Sequence, residues 1–140
     1  MKILVINGPN LNMLGIREPD IYGKQDFKTL ESSIRAWSEE LGHTVTLFQS
    51  NHEGEIVDVI QSAYGVFDGI VINPAAYTHT SVAILDALKS VAIPTVEVHL
   101  SDINTREEFR KFSFVSLVAE KTICGLGFEG YKKALEYFAS

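Results

Sequence analysis

The chain has 140 residues, 46% hydrophobic and 21% charged, with a net charge of −6. That length and balance suit one domain with a real core, spanning 1–140, and argue against disorder. With no Lys/Arg stripe, no partner for Cys124, and no apolar run long enough for a signal-peptide core or a membrane span, the sequence excludes a nucleic-acid platform, an intramolecular disulfide and a membrane protein, and the cytoplasm is the expected compartment.

The elements alternate. Lys2–Ile6 reads as strand one. The segment from Asn7 to Gly23 that follows is far longer than the usual strand-to-helix loop of about 2–6 residues, which marks it as functional or disordered. Its Leu11, Met13, Leu14 and Ile16 favour the first. Asp26–Leu41 carries Leu30, Ile34, Trp37 and Leu41 at helical spacing, with Asp26 to cap its start and Gly42 its end. Thr44–Gln49 alternates as strand two, and Glu53–Tyr64 places Ile56, Val59, Ile60 and Ala63 on one helix face. Asp68–Ile72 is an apolar strand three, Thr80–Val91 helix three, and Thr95–Leu100 strand four. A short helix near Arg106–Lys111, strand five at Val115–Ala119 and a last helix near Tyr131–Phe138 complete the prediction.

Strands alternating with helices imply right-handed βαβ units and a parallel sheet. Five strands at this length suggest an α/β, flavodoxin-like sheet of order 2-1-3-4-5 with helices on both faces. In such sheets ligands bind beyond the carboxyl ends of the strands, where the order reverses. The loop after strand one, Asn73–Thr80, and His99–Ser101 should therefore border one crevice.

Four groups of residues carry chemistry. Glu97-Val-His-Leu-Ser101 puts Thr95, Glu97, His99 and Ser101 on one strand face, and a carboxylate beside an imidazole fixes its tautomer and raises its basicity. The same residues also fit an ion pair on an exposed edge, or a metal site completed by His79. Asn73 and His79 can each donate and accept hydrogen bonds, or serve only a turn, and Thr80 or Ser81 can cap the next helix. Asp86 reads alone as a solvated helix residue. Arg106 and Arg110, four apart, fit a carboxylate or hydroxyls, or a surface network with Glu107 and Glu108. His43 and His52 read as surface residues.

Arg17 and Tyr22 make the fourth group. A phenol of pKa about 10 is only about 0.1% ionised at pH 7, but a nearby cation lowers that pKa by roughly 1–3 units. A drop of about two units would make a usable general base. Glu18 could neutralise Arg17 and weaken this. Gly125-Leu-Gly-Phe-Glu-Gly130 matches G-x-G-x-x-G, yet only Tyr131–Ser140 follows, too little for a dinucleotide site. A tight bend into the last helix accounts for it better.

Taken in order, Asn7-Gly-Pro-Asn-Leu-Asn with Arg17-Glu-Pro-Asp-Ile-Tyr-Gly23, Asn73-Pro-Ala-Ala-Tyr-Thr-His79, Glu97-Val-His-Leu-Ser101 and Arg106-Glu-Glu-Phe-Arg110 resemble the type II 3-dehydroquinate dehydratases. The resemblance implies a flavodoxin-like dodecamer built of trimers. It implies dehydration of the small-molecule substrate 3-dehydroquinate to 3-dehydroshikimate, in the shikimate or quinate pathway, without cofactor or metal. By the same resemblance Tyr22 is the base, Arg17 lowers its pKa, and Asn10 holds a water supporting the enolate. His99 protonates the departing hydroxyl with Glu97 behind it. Asn73, Leu100 and Ser101 receive the substrate carboxylate, and His79 and Arg110 contact ring hydroxyls. Asp86 does so from a neighbouring subunit, and Arg106 supports the lid. The family commonly reads Ser-Asn-Ile-His where this chain has Ser101-Asp-Ile-Asn104, which adds a negative charge at Asp102 near an anionic substrate.

The residues bear on the route as well. A lysine Schiff base would need a desolvated lysine, and no strand centre carries one, so an enolate with Tyr22 as base is the expectation. Asn12–Lys24 should close as a lid hinged at Gly15 and Gly23. A receiver-type signalling domain would want acidic residues after strands one and three, where Asn7 and Asn73 stand. A lyase or isomerase for another polyhydroxy acid remains the nearer alternative.

Overall fold

The computed structural model describes residues 1–16 and 25–140. Five parallel strands form one sheet: β1 Lys2–Asn7, β2 Thr44–Gln49, β3 Gly69–Asn73, β4 Thr95–His99 and β5 Lys121–Cys124, in the order β2-β1-β3-β4-β5. Among the described residues four α-helices cover it: α1 Phe27–Glu40, α2 Glu53–Ser62, α3 Val82–Val91 and α4 Glu129–Ala139.

The strand period of two sorts the core into two layers. Ile3, Val5, Val71, Val96 and Val98 face α1 and α4, where Leu30, Ile34, Tyr131, Leu135 and Phe138 meet them. Leu4, Ile6, Ile70 and Ile72 face α2 and α3, against Ile56, Ile60, Ile84 and Leu88. Burying each such aliphatic side chain contributes about 1.5–3 kcal/mol, so the two layers hold the central strands rigid. On β4 the apolar set takes the first layer, which leaves Thr95, Glu97 and His99 on the second.

Helix ends follow the local chemistry that the sequence predicts. The Asp26 side chain accepts the Thr29 N–H at 2.8 Å, and Ser81 Oγ accepts that of Ile84 at 2.9 Å. Gly42, at φ 76°, takes the left-handed turn after α1. The side chain of His52 makes no capping bond at the start of α2, which stops at Ser62.

Three expectations need correcting. Val115–Leu117 is a 3-10 turn, not strand five. Val115 is fully buried under α3, and Ser113 Oγ accepts the Ser116 N–H at 3.2 Å, which favours the turn. The true edge strand buries only Ile123, so its pattern is too polar to stand out. The expected helix at Arg106–Lys111 is two 3-10 turns, Ile103–Thr105 and Glu108–Arg110, with Arg106 extended between them, so helical spacing does not relate the two arginines. His43 is half-buried and donates its Nε2–H to the Leu135 carbonyl at 3.0 Å, tying β2 to α4.

Candidate active site

The sheet order reverses at β1 and β3, and their last residues, Asn7 and Asn73, pair across the ladder. Gly8 leaves β1 so close to Pro74 that a Cβ there would lie 2.5 Å from the Pro74 carbonyl oxygen. β1 and β3 therefore diverge at a glycine, and above them opens a cleft of about 920 Å³. It lies beyond the carboxyl ends of the strands, as a doubly wound sheet requires.

Among the described residues, five segments wall the cleft. The loop after β1 contributes Asn10, Leu11, Met13 and Leu14, and the turn after β3 contributes Ala75 and His79 beside Asn73 itself. The end of β4 gives His99, Leu100 and Ser101, the following turns Ile103, Arg106 and Arg110, and the bend before α4 Gly127 and Phe128. The Gly125–Gly130 pattern is the bend that the sequence suggests: Gly125 and Gly127 stand at φ 80° and 58°. Gly130 packs tightly: a Cβ there would lie 3.1 Å from Val98 Cγ1, which would have to give by a few tenths of an ångström.

Behind His99 lies Glu97, a carboxylate with no solvent exposure. Five donors converge on it. Thr78 and Ser113 hydroxyls reach Oε2 at 2.9 and 2.7 Å, Ser116 and Thr122 reach Oε1 at 2.5 and 3.1 Å, and His99 Nε2 completes the set on Oε2. Thr122 is opposite Glu97 in the β4–β5 register, which puts its hydroxyl on the same face. Burial alone would raise the Glu97 pKa, but the bonds from His99, Ser116 and Ser113 and the His99 charge outweigh it and hold the group at about 2. Glu97 is thus a buried anion over the working pH range. An ionised carboxylate only accepts, so His99 Nε2 carries hydrogen. His99 is 5% exposed and lines the cleft, and its Nδ1 has no hydrogen-bond partner among the described residues.

His79 donates Nδ1–H to the Phe112 carbonyl at 2.8 Å, which leaves Nε2 for a ligand. The exposed Arg106 donates Nη2–H to Ser101 Oγ at 2.5 Å. Arg110 binds Glu107 through Nε at 3.1 Å. Asn10 stands at φ 71°, a left-handed conformation that asparagine tolerates, and its N–H reaches Asn51 Oδ1 at 2.9 Å. Gln49 Nε2 ties the same loop down at the Gly8 carbonyl, 3.1 Å away. Asn73 Oδ1 accepts the N–H of Ala75 at 3.1 Å, and Ala75 itself is held at φ 52°, a strained left-handed position for alanine.

Most of the predicted residues therefore meet in one place: Asn10, Asn73, His79, His99, Leu100, Ser101, Arg106 and Arg110 all line the cleft, with Glu97 behind. Two do not. Asp86 sits exposed on α3, outside the cleft of its own chain. Asp102 also lies outside it, and its carboxylate caps the next turn by accepting the Asn104 N–H at 2.9 Å. Arg17, Tyr22, Glu18 and Gly23 fall outside the described residues. The metal alternative gathers no ligand set, since no three His, Cys, Asp or Glu side chains converge among the described residues. Sequence reasoning missed Thr78, Ser113, Ser116 and Thr122 around Glu97, and Gln49 and Asn51 beneath Asn10. They come from separate segments, and only the topology brings them together.

Comparisons with known proteins agree with this architecture. The family model described as dehydroquinase class II matches residues 1–139. A catabolic 3-dehydroquinase 1 of Neosartorya fischeri is 56% identical over 138 residues, 99% of this chain and 92% of that one. A 3-dehydroquinate dehydratase of Lachnospira eligens is 57% identical over 138 residues, 97% of this chain and 94% of the other. The crystal structure of a type II dehydroquinase from Butyrivibrio crossotus superimposes with a TM-score of 0.94 at 52% identity, covering 100% of this chain and 98% of that one. A flavodoxin-like sheet, a cleft at its switch point and full-length similarity lead to one conclusion: the chain belongs to the class II dehydroquinases.

Proposed function

We propose that this class II dehydroquinase removes water from 3-dehydroquinate by an anti elimination through an enolate, giving 3-dehydroshikimate for the shikimate or quinate pathway. The observation that carries the mechanism is the Glu97–His99 pair, a cleft-lining imidazole anchored on a buried anion through Nε2, whose Nδ1 has no hydrogen-bond partner among the described residues.

An α-proton of a ketone is far less acidic than a phenol, so the enolate must be stabilised as it forms. In this proposal Tyr22, with its pKa lowered by the Arg17 guanidinium, takes that proton, and a water held at Asn10 supports the enolate oxygen. Loss of hydroxide from the enolate is slow unless the leaving oxygen is protonated. For that His99 needs a second proton, on Nδ1. The fixed negative charge of Glu97 stabilises the resulting imidazolium and returns it to the same orientation after each turnover. Asn73, Leu100 and Ser101 take the substrate carboxylate. His79 offers Nε2 and Arg110 its guanidinium to the ring hydroxyls, while Arg106 braces Ser101 and the lid. The cations supply a local positive field that the net charge of −6 does not. Asp86 completes the site from a neighbouring subunit in a cytoplasmic dodecamer; its exposure on α3, away from its own cleft, supports this.

The test is a spectrophotometric assay for the conjugated enone with 3-dehydroquinate as substrate. Turnover is expected, and absence of product would remove the assignment. Tyr22→Phe should lower kcat by orders of magnitude with ligand affinity largely kept, whereas an equal loss of affinity would make Tyr22 a binding residue. Borohydride trapping of substrate on the protein would replace the enolate route by a Schiff base.

A further inference from the structure

Tyr131 lies on α4, near the end of the chain, and has no solvent exposure. Its ring belongs to the layer between the sheet and α1/α4, but its hydroxyl reaches the carboxyl ends of β1 and β3, directly under the cleft. There it meets Asn7 and Asn73, the last paired residues of those strands.

Each bond in this group admits one direction. Asn73 Oδ1 is taken by the Ala75 N–H at 3.1 Å, so Nδ2 is the side presented to Tyr131. The Tyr131 oxygen accepts from Asn73 Nδ2 at 3.0 Å and must then donate its own hydrogen, which goes to Asn7 Oδ1 at 2.5 Å. Asn7 Nδ2, fully buried, has no partner among the described residues. Packing for its own sake rarely leaves a buried donor unpaired, so this orientation needs another reason. Burial also pushes the Tyr131 phenol far above its ordinary range, outweighing the Asn73 bond that favours the anion, so the group stays a neutral donor and acceptor.

We propose that Tyr131 is a positioning residue for the substrate carboxylate: it clamps the Asn73 carboxamide from below and thereby presents the second Nδ2 hydrogen to the cleft. The clamp rests on the reading that Asn73 receives that carboxylate. One Nδ2 hydrogen is spent on Tyr131, Oδ1 on Ala75, and one hydrogen remains for a ligand. Without the phenol the carboxamide loses one of its two anchors and rotates, and the donor loses its aim.

The experiment is steady-state kinetics with 3-dehydroquinate on Tyr131→Phe, Asn73→Ala and the double variant, each checked for a cooperative thermal transition. Tyr131→Phe should raise KM about tenfold, the scale of one well-placed hydrogen bond to a charged group, with kcat within about twofold. Asn73→Ala should raise KM at least as much, and the double variant should be no worse than Asn73→Ala, because both changes remove one interaction. Additive effects on KM, or a fall in kcat at unchanged KM, would overturn the clamp. An unchanged KM in Asn73→Ala would instead overturn the carboxylate reading on which it depends. Should Tyr131→Phe not fold, side-chain amide NMR of the unaltered protein decides. On titration with 3-dehydroshikimate, one Asn73 Nδ2 proton should shift while the other stays protected from exchange. Two protons exchanging at solvent rates would contradict the clamp.

Discussion

The cleft has a floor and a rim, and they are built on opposite terms. On the floor, Glu97 and His99 are 0% and 5% exposed, and five donors fix one carboxylate. On the rim, Arg106 is exposed, and the ion pair of Arg110 with Glu107 leaves those side chains 37% and 64% exposed. A buried charge must be saturated with hydrogen bonds or it titrates away, so the floor is rigid before any substrate arrives. A charge at the surface is screened and held loosely, so the rim can adjust to what binds. In the proposed reaction the contrast gives the His99 proton delivery, which needs fixed geometry, to the floor, and the adjustable contacts of Arg106 and Arg110 to the rim.

The largest effect that sharpens this contrast is expected at Glu97. Glu97→Gln keeps the shape but removes the charge behind His99, and kcat should fall about 10²- to 10⁴-fold with KM little changed. A change confined to KM would move Glu97 from the floor's task to the rim's.

Next in size is the response to acid. Glu97 is held at about 2 against an ordinary 4.5, so the folded state keeps it ionised where the unfolded chain takes up a proton. A carboxylate depressed in this way adds stability above the unfolded pKa and loses it as pH falls through the folded one. Between about pH 4.5 and 2 roughly 3 kcal/mol should therefore disappear, and urea unfolding across that window should show it. In Glu97→Gln this part of the slope should vanish. An identical slope would mean the buried carboxylate is not the group being titrated.

Smallest is the rim. Arg110→Ala should raise KM about tenfold and change stability by less than about 0.5 kcal/mol, since its pairing with Glu107 is exposed. A stability loss of floor-like size would erase the distinction.

What the sequence disclosed and what it hid follow the same division. The alternation of elements and the caps at Asp26 and Ser81 were legible because they rest on short-range periodicity and capping chemistry, and the strand order and two-sided core follow from the βαβ rules applied to that alternation. Glu97 and His99 stood out as polar residues on a strand that should be apolar on both faces. The hydroxyls around Glu97 were not legible, because Thr78, Ser113, Ser116 and Thr122 are ordinary turn and edge residues until the sheet brings four segments together. Strand five was misplaced because buried Val115 imitates a strand, while the true edge at Lys121–Cys124 needs only Ile123 inside. Tyr131 enters the sequence reading only as the start of the last helix, and nothing local signals that its hydroxyl ends under the cleft.

The central claim is that two groups divide the elimination: Tyr22 takes the α-proton and His99 releases the water. It is tested most directly by incubating His99→Gln with 3-dehydroquinate in deuterated water and following, by NMR, both deuterium entry at the α-carbon and formation of the enone. Continued exchange with product formation slowed by at least about 10²-fold is the predicted result. Loss of exchange and elimination together, or elimination at the unaltered rate, would contradict it.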